Sequence, residues 1–240
     1  MNNVNQEIDK EVSKNHKSDI KYQVKFSFNI TYILLLTTAT ITFIEAIRTQ
    51  NATIRHVLNL ETAISVIAAY FYSSFIAKIN NAYDNDKMID WNDINKTRYV
   101  DWFITTPLML LTLSIVLSNE INTSIKLSVI ASIISLNYLM LYLGYLGETD
   151  KIDKKIGMIT GFIAFALMYF IIYYNYVRPR YKLSNYILFF FYLLIWSIYG
   201  IVYMLDEDKK NISFNILDLI AKCLIGLGLW AYYTKIIILG

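Results

Sequence analysis

Apolar stretches of about twenty residues or more alternate with short polar breaks along this chain. Seven stand out, at about 24–48, 57–79, 98–118, 124–146, 156–177, 183–205 and 212–238. A hydrocarbon core of ~30 Å is crossed by about 20 helical residues, so each stretch can span a bilayer. Backbone groups in lipid must be satisfied within the segment, which makes these spans helices rather than strands. The pattern predicts an all-α fold, a seven-transmembrane-helix bundle. The longest polar connection expected is NNAYDNDKMIDWNDINKT, residues 80 to 97. Residues 1 to 23 are polar and mixed in sign, without the basic start and apolar core of a signal peptide. They read as a solvated tail, or a short interfacial helix, ahead of a domain covering 24 to 240.

Composition agrees. Of 240 residues, 56% are hydrophobic, more than a soluble domain of this size carries. Cys223 is the only cysteine, which excludes a disulfide framework or a cysteine-rich metal site. His16 and His56 lie near charged loops and read as surface groups. The net charge of +3 says little about partners of a membrane protein, and no nucleic-acid motif is present. Grouping loops by side puts most lysines with the N-terminus, including Lys10, Lys87, Lys151 and Lys209, while Arg48, Arg178 and Arg180 fall on the other side. That count alone favours an inside N-terminus.

The chemistry lies in two spans. Asp218 and Lys222 sit four residues apart within the last one, on one helical face. A lysine at mid-membrane costs roughly 2.5 kcal/mol or more on insertion scales, so it needs a partner or a task. One reading is a structural ion pair. The other is a lysine covalently occupied by an aldehyde, with Asp218 as counterion to the protonated imine. In the third span, RYVDWFITTPLMLLTL, the residues Arg98, Asp101, Thr105 and Thr112 fall near one face. Asp101 could be a second carboxylate near the Lys222 nitrogen, with Arg98 beneath. Pro107 breaks a backbone bond that Thr105 or Thr106 could replace. The alternative for this span is a kinked packing helix with one salt bridge.

RYVDWFITTPL together with DLIAK resembles the microbial rhodopsins, most closely proteorhodopsin-type pumps and giant-virus rhodopsins. AAYFY at 68 to 72, LGYLGE at 143 to 148 and IWSIYG at 195 to 200 extend the likeness to all seven spans. The resemblance implies a transporter rather than an enzyme, with all-trans retinal as a buried Schiff base on Lys222. It implies Asp101 as primary counterion and proton acceptor, Asp218 as second counterion and Arg98 as the gate below them. Trp102 and Trp196 would flank the polyene, with Tyr199 and Tyr72 completing the lining. Thr106, Met109, Met140 and Gly144 would line the pocket, and Tyr203 stands where some relatives carry a third tryptophan. The non-polar Met109 implies green absorption. Family topology places the N-terminus outside and the C-terminus in the cytoplasm, and is adopted here against the lysine count. Beyond membrane lipid, the implied partners are the transported ion, H+, and further copies of the chain in a trimer or pentamer.

Departures from the family pattern bear on function. Thr112 stands where pumps carry a carboxylate donor, Phe71 where proteorhodopsins carry a histidine, and Gly200 where a proline is common. Glu61 could supply the missing proton, because antiparallel neighbours would set it beside Thr112; otherwise it is an interfacial acid at a helix start. Asp206, Glu207 and Asp208 read as a solvated acidic loop or a proton-release group, Glu148 as structural and Glu45 as interfacial. A proton pump is expected first. A light-gated cation channel with Asn29, Thr38, Thr42, Glu45, Glu61 and Asn137 along its path comes second, a sensory receptor third, and a bundle without chromophore last.

Overall fold

The computed structural model describes residues 2 to 237, with side chains from residue 19 onward. Seven helices are long and apolar enough to cross a membrane: α1 (Asn2–Arg48, apolar from Asp19), α2 (Ala52–Asp84), α3 (Trp91–Glu120), α4 (Leu127–Glu148), α5 (Lys154–Val177), α6 (Leu183–Val202) and α7 (Glu207–Tyr233). No strand occurs among the described residues. The chain is thus a multi-pass membrane protein. The side chains of residues 1 to 18, His16 included, lie outside the described residues, and His56 is exposed.

The helices outrun the apolar spans. The connection expected at 80 to 97 is only 85 to 90, because α2 continues to Asp84 and α3 starts at Trp91. Hydropathy reports where lipid ends, whereas the helix ends where its last carbonyls find donors. Those donors come from turns with a left-handed residue just past the helix: Asp86 after α2, Asn122 after α3 and Asp150 after α4. Each turn returns an N–H to the helix, Lys87 to Ala82 O, Thr123 to Ser118 O and Lys151 to Leu146 O. Side chains close several N-termini: Asn51 caps α2, Asp90 caps α3 and Asp153 caps α5. At the C-terminal end α7 stops at Tyr233, short of the expected 238.

Burial ranks the helices. In their apolar windows α3 is 61% buried and α7 56%, while α4 is 17% buried and so spends most of its surface on lipid. The two innermost helices are the ones that carry the charged groups, where protein rather than hydrocarbon surrounds them. Two apolar clusters build the interior. One gathers α3 to α7, with Val57 and Ile64 of α2, around Trp102, Met109, Phe165, Trp196 and Phe214. The other gathers α1, α2 and the start of α3 around Phe28, Tyr72 and Phe75.

Two local irregularities were invisible in the sequence. Leu219–Leu224 within α7 and Tyr173–Val177 at the end of α5 are π-helical. Pro107 sits inside an unbroken α3. The expected repair is not what occurs: Thr105 donates to the carbonyl of Asp101 and Thr106 to that of Trp102, and neither reaches Phe103, whose partner the proline removes.

Candidate functional site: a buried charge cluster beside an aromatic cavity

At mid-depth α3 and α7 bring four charges together. Nζ of Lys222 donates to Oδ2 of Asp101 at 2.8 Å and lies 3.6 Å from Oδ2 of Asp218. Nη1 of Arg98 is 3.3 Å from the same Asp218 oxygen. All four side chains are within 1% of complete burial. Two cations and two anions balance formally, which a membrane interior requires. Lys222 lies in the π-helical stretch, so its side chain leaves α7 from a widened turn, not from the regular four-residue repeat assumed from the spacing.

The two carboxylates are held differently. Asp218 accepts Tyr199 OH on Oδ1 at 2.7 Å, and Tyr72 OH and Arg98 on Oδ2. Asp101 Oδ2 is met by Lys222, while its Oδ1 has a long contact, 3.4 Å, from the Thr105 hydroxyl. Arg98 is fixed further by Asn215 Oδ1 at 2.9 Å and Asn211 Oδ1 at 3.3 Å, and its guanidinium sits among the rings of Phe28, Tyr72, Phe75 and Phe214. Asn211 and Asn215 carried no signal in the sequence, since nothing in the periodicity of α7 separates a buried asparagine from a packing one.

Next to the cluster lies a cavity with about 820 Å³ between its lining atoms, open solvent included. Its wall contains Lys222, Trp102, Trp196, Tyr199, Thr106, Met109, Met140, Gly144 and Tyr203 from the sequence reading. Tyr72 is not in that wall, because its hydroxyl is drawn to Asp218 and Asn215 on the α1–α2 side. The sequence reading missed Tyr99, Leu141, Gly157, Met158, Gly161, Phe162, Phe165, Gly200 and Phe214. Of these only Gly200 carried a clue. A Cβ there would collide with the Phe162 ring, so the glycine makes room for an aromatic wall. The wall's only charged groups are Lys222 and Asp218.

Toward the C-terminal end of the bundle stands Glu61, 1% exposed and well inside α2, not at an interface. Its Oε1 has no partner, and no hydrogen bond joins it to Thr112, whose hydroxyl is also unpartnered. Its Oε2 and the Thr38 methyl both lie close to where a Gly226 Cβ would point. Thr38 of the expected channel-lining set stands with Glu61, but Asn29, Asn137 and Glu45 do not. Asn29 is exposed, and Asn137 donates to Thr106 on the α4 side. Glu45 is paired with Arg48 near the end of α1, its side chain 20% exposed.

Against known proteins, a family model of bacteriorhodopsin-like proteins matches residues 23–236. The chain is similar to the solved viral rhodopsin OLPVRII at 41% identity, covering 90% of this chain and 99% of that one, with a TM-score of 0.83. It shares its fold with the proton pumping rhodopsin AR2 of the marine alga Acetabularia acetabulum, at 22% identity over 89% and 96% of the chains and a TM-score of 0.71. The green-light absorbing proteorhodopsin of gamma-proteobacterium EBAC31A08 is 24% identical over 153 residues, 58% of this chain. That match spans 61% of the length of the curated relative.

Proposed function

Because the chain belongs to the bacteriorhodopsin-like family, we propose that it is a light-driven outward proton pump in which Asp101 accepts the proton from Nζ of Lys222. The cofactor is retinal, carried on that nitrogen. The cavity suits it: an apolar, aromatic wall for a polyene, with one amine, Lys222, and one carboxylate, Asp218, as the only charges. Trp102, Trp196, Tyr199, Tyr203, Thr106, Met109, Met140 and Gly144 would hold it. Bound retinal supplies light absorption and a light-driven change of shape that re-aims the nitrogen.

The observation that carries the reading is the unequal engagement of the two acids. Both oxygens of Asp218 are occupied by Tyr199, Tyr72 and Arg98. Asp101 Oδ2 is met by the lysine nitrogen 2.8 Å away and has no second donor. A transferred proton needs a free lone pair, so Asp101 is the acceptor and Asp218 the fixed counterion. Arg98 and Thr105 hold the two acids in place from either side.

The nitrogen regains its proton from the opposite side. Thr112 cannot donate at neutral pH. Glu61, buried with Oε1 unpartnered and Oε2 close to Gly226, one turn beyond Lys222, is the donor. With the N-terminus outside and the C-terminus cytoplasmic, as in the family, Arg98 lies on the outer side and Glu61 on the inner. The 24–240 bundle would assemble as a homo-oligomer, a trimer or pentamer in line with the family. A light-gated cation channel is the second reading, favoured by the buried unpartnered oxygens of Thr38, Glu61 and Ser65.

Photocurrent recorded against voltage separates the two: pump current keeps its direction at all voltages, and channel current reverses. Illuminated cells should acidify an unbuffered medium, with the effect abolished by a protonophore. A medium that does not acidify overturns the pump.

A further inference from the structure

Lys210 sits in the first turn of α7, at the outer end of the bundle, and is completely buried. Its Nζ is 2.6 Å from Glu148 Oε1 of α4 and 2.7 Å from Glu207 Oε1 of α7. Asn95 of α3 bridges the same two acids, its Nδ2 2.6 Å from Glu148 Oε1 and 2.8 Å from Glu207 Oε2. Lys154, opening α5, stands 4.0 Å from Glu148 Oε2. Side chains from four helices therefore meet around the two acids that hold this ammonium. None of these groups belongs to the cavity wall. They are joined to the charge cluster through Asn211, which accepts from Arg98 and donates to the Glu207 carbonyl at 3.1 Å.

A buried ion pair is a poor source of stability, since an apolar replacement of the same volume does as well or better. What this one does provide is occupancy. Two carboxylates converge on one point, and Oδ1 of Asn95, on a side chain 4% exposed, is buried with no donor of its own. Converging oxygens of this kind are what a hard metal cation takes as ligands. Here a tethered ammonium already holds the place.

We propose, on the basis of the transport reading above, that Lys210 is a built-in cation closing the outer mouth below Arg98, and that it makes the path selective for protons over metal cations. A proton can pass from Glu148, with a side chain 6% exposed, to Glu207, 43% exposed, by rearranging hydrogen bonds around a stationary Nζ. A sodium ion would have to displace Nζ and leave it buried without partners, which is strongly opposed.

The test is voltage-clamped photocurrent with external Na+ exchanged for N-methylglucamine, in wild type, Lys210→Met and the control Lys78→Met. Lys78 pairs with Asp93 on the exposed surface at the same end. Wild type and the Lys78 variant should ignore the exchange. Lys210→Met should gain a several-fold larger current at negative voltage that vanishes with N-methylglucamine and reverses with voltage. If Lys210→Met yields no pigment, the charge-balanced double variant Lys210→Met with Glu148→Gln takes its place, with the same expectation. Coloured variants that ignore Na+ overturn the plug alone, and the pump reading stands. A wild-type current that follows Na+ overturns both. Colourless protein from both charge-removing variants marks Lys210 as a folding lock and overturns the selectivity role.

Discussion

Asp101 and Lys222 meet across two helices, Oδ2 to Nζ at 2.8 Å, with both side chains buried. Asp101→Asn removes the free acceptor, and the proton photocurrent should fall by about 100-fold or more. Absorption should move to longer wavelength, because the carboxylate stabilises positive charge on the nitrogen most before excitation draws it away. A variant pumping at wild-type rate would assign the acceptor role elsewhere.

Lys222→Met should leave the protein colourless with excess retinal. It also leaves Asp101 and Asp218 facing Arg98 alone, so the retinal-free protein should lose about 3–5 kcal/mol. Adding Asp101→Asn should return most of that loss. Thermal denaturation in detergent measures both steps.

Tyr199 and Tyr169 give opposite expectations from the same substitution. The Tyr199 hydroxyl donates to Asp218 at 2.7 Å, and Tyr199→Phe should cost about 1–3 kcal/mol. The Tyr169 hydroxyl is buried without a partner, so Tyr169→Phe should be neutral or stabilising. Equal melting shifts for the two would contradict the hydrogen-bond assignment.

Glu61→Gln should slow the recovery phase after a flash and leave the early proton release from Lys222 unchanged. Its Oε1 has no partner to lose, so folding stability should hold. An added small weak acid should restore the recovery rate. Unaltered recovery in flash absorption would remove Glu61 from the path.

Gly200→Ala drives a methyl group into the Phe162 ring. Overpacking of this kind costs about 1–3 kcal/mol. Displacement of that wall should also slow retinal uptake and shift the absorption maximum, both read from a visible spectrum during reconstitution.

Seven helices and the four charges at their centre were legible in the amino-acid order before any packing was known. Lipid offers the backbone no hydrogen-bond partner, so an apolar run of that length has one outcome, and a charge inside it must find its opposite. The periods linking Arg98 to Asp101 and Asp218 to Lys222 were enough to foresee a cluster. They were not enough to foresee that Tyr72 turns to Asp218, away from the cavity, or that Asn211 and Asn215 steady Arg98.

Packing between helices set the rest. Glu207 read as part of a solvated acidic loop and Glu148 as a structural helix end, yet both pair with the buried Lys210 across α4 and α7. Glu61 looked as much like an interfacial acid as an interior one until α1 and α7 closed over it. Periodicity within one helix says which residues share a face. The rotation and depth of that face against its neighbours come from side-chain packing among seven helices, and no single span encodes them.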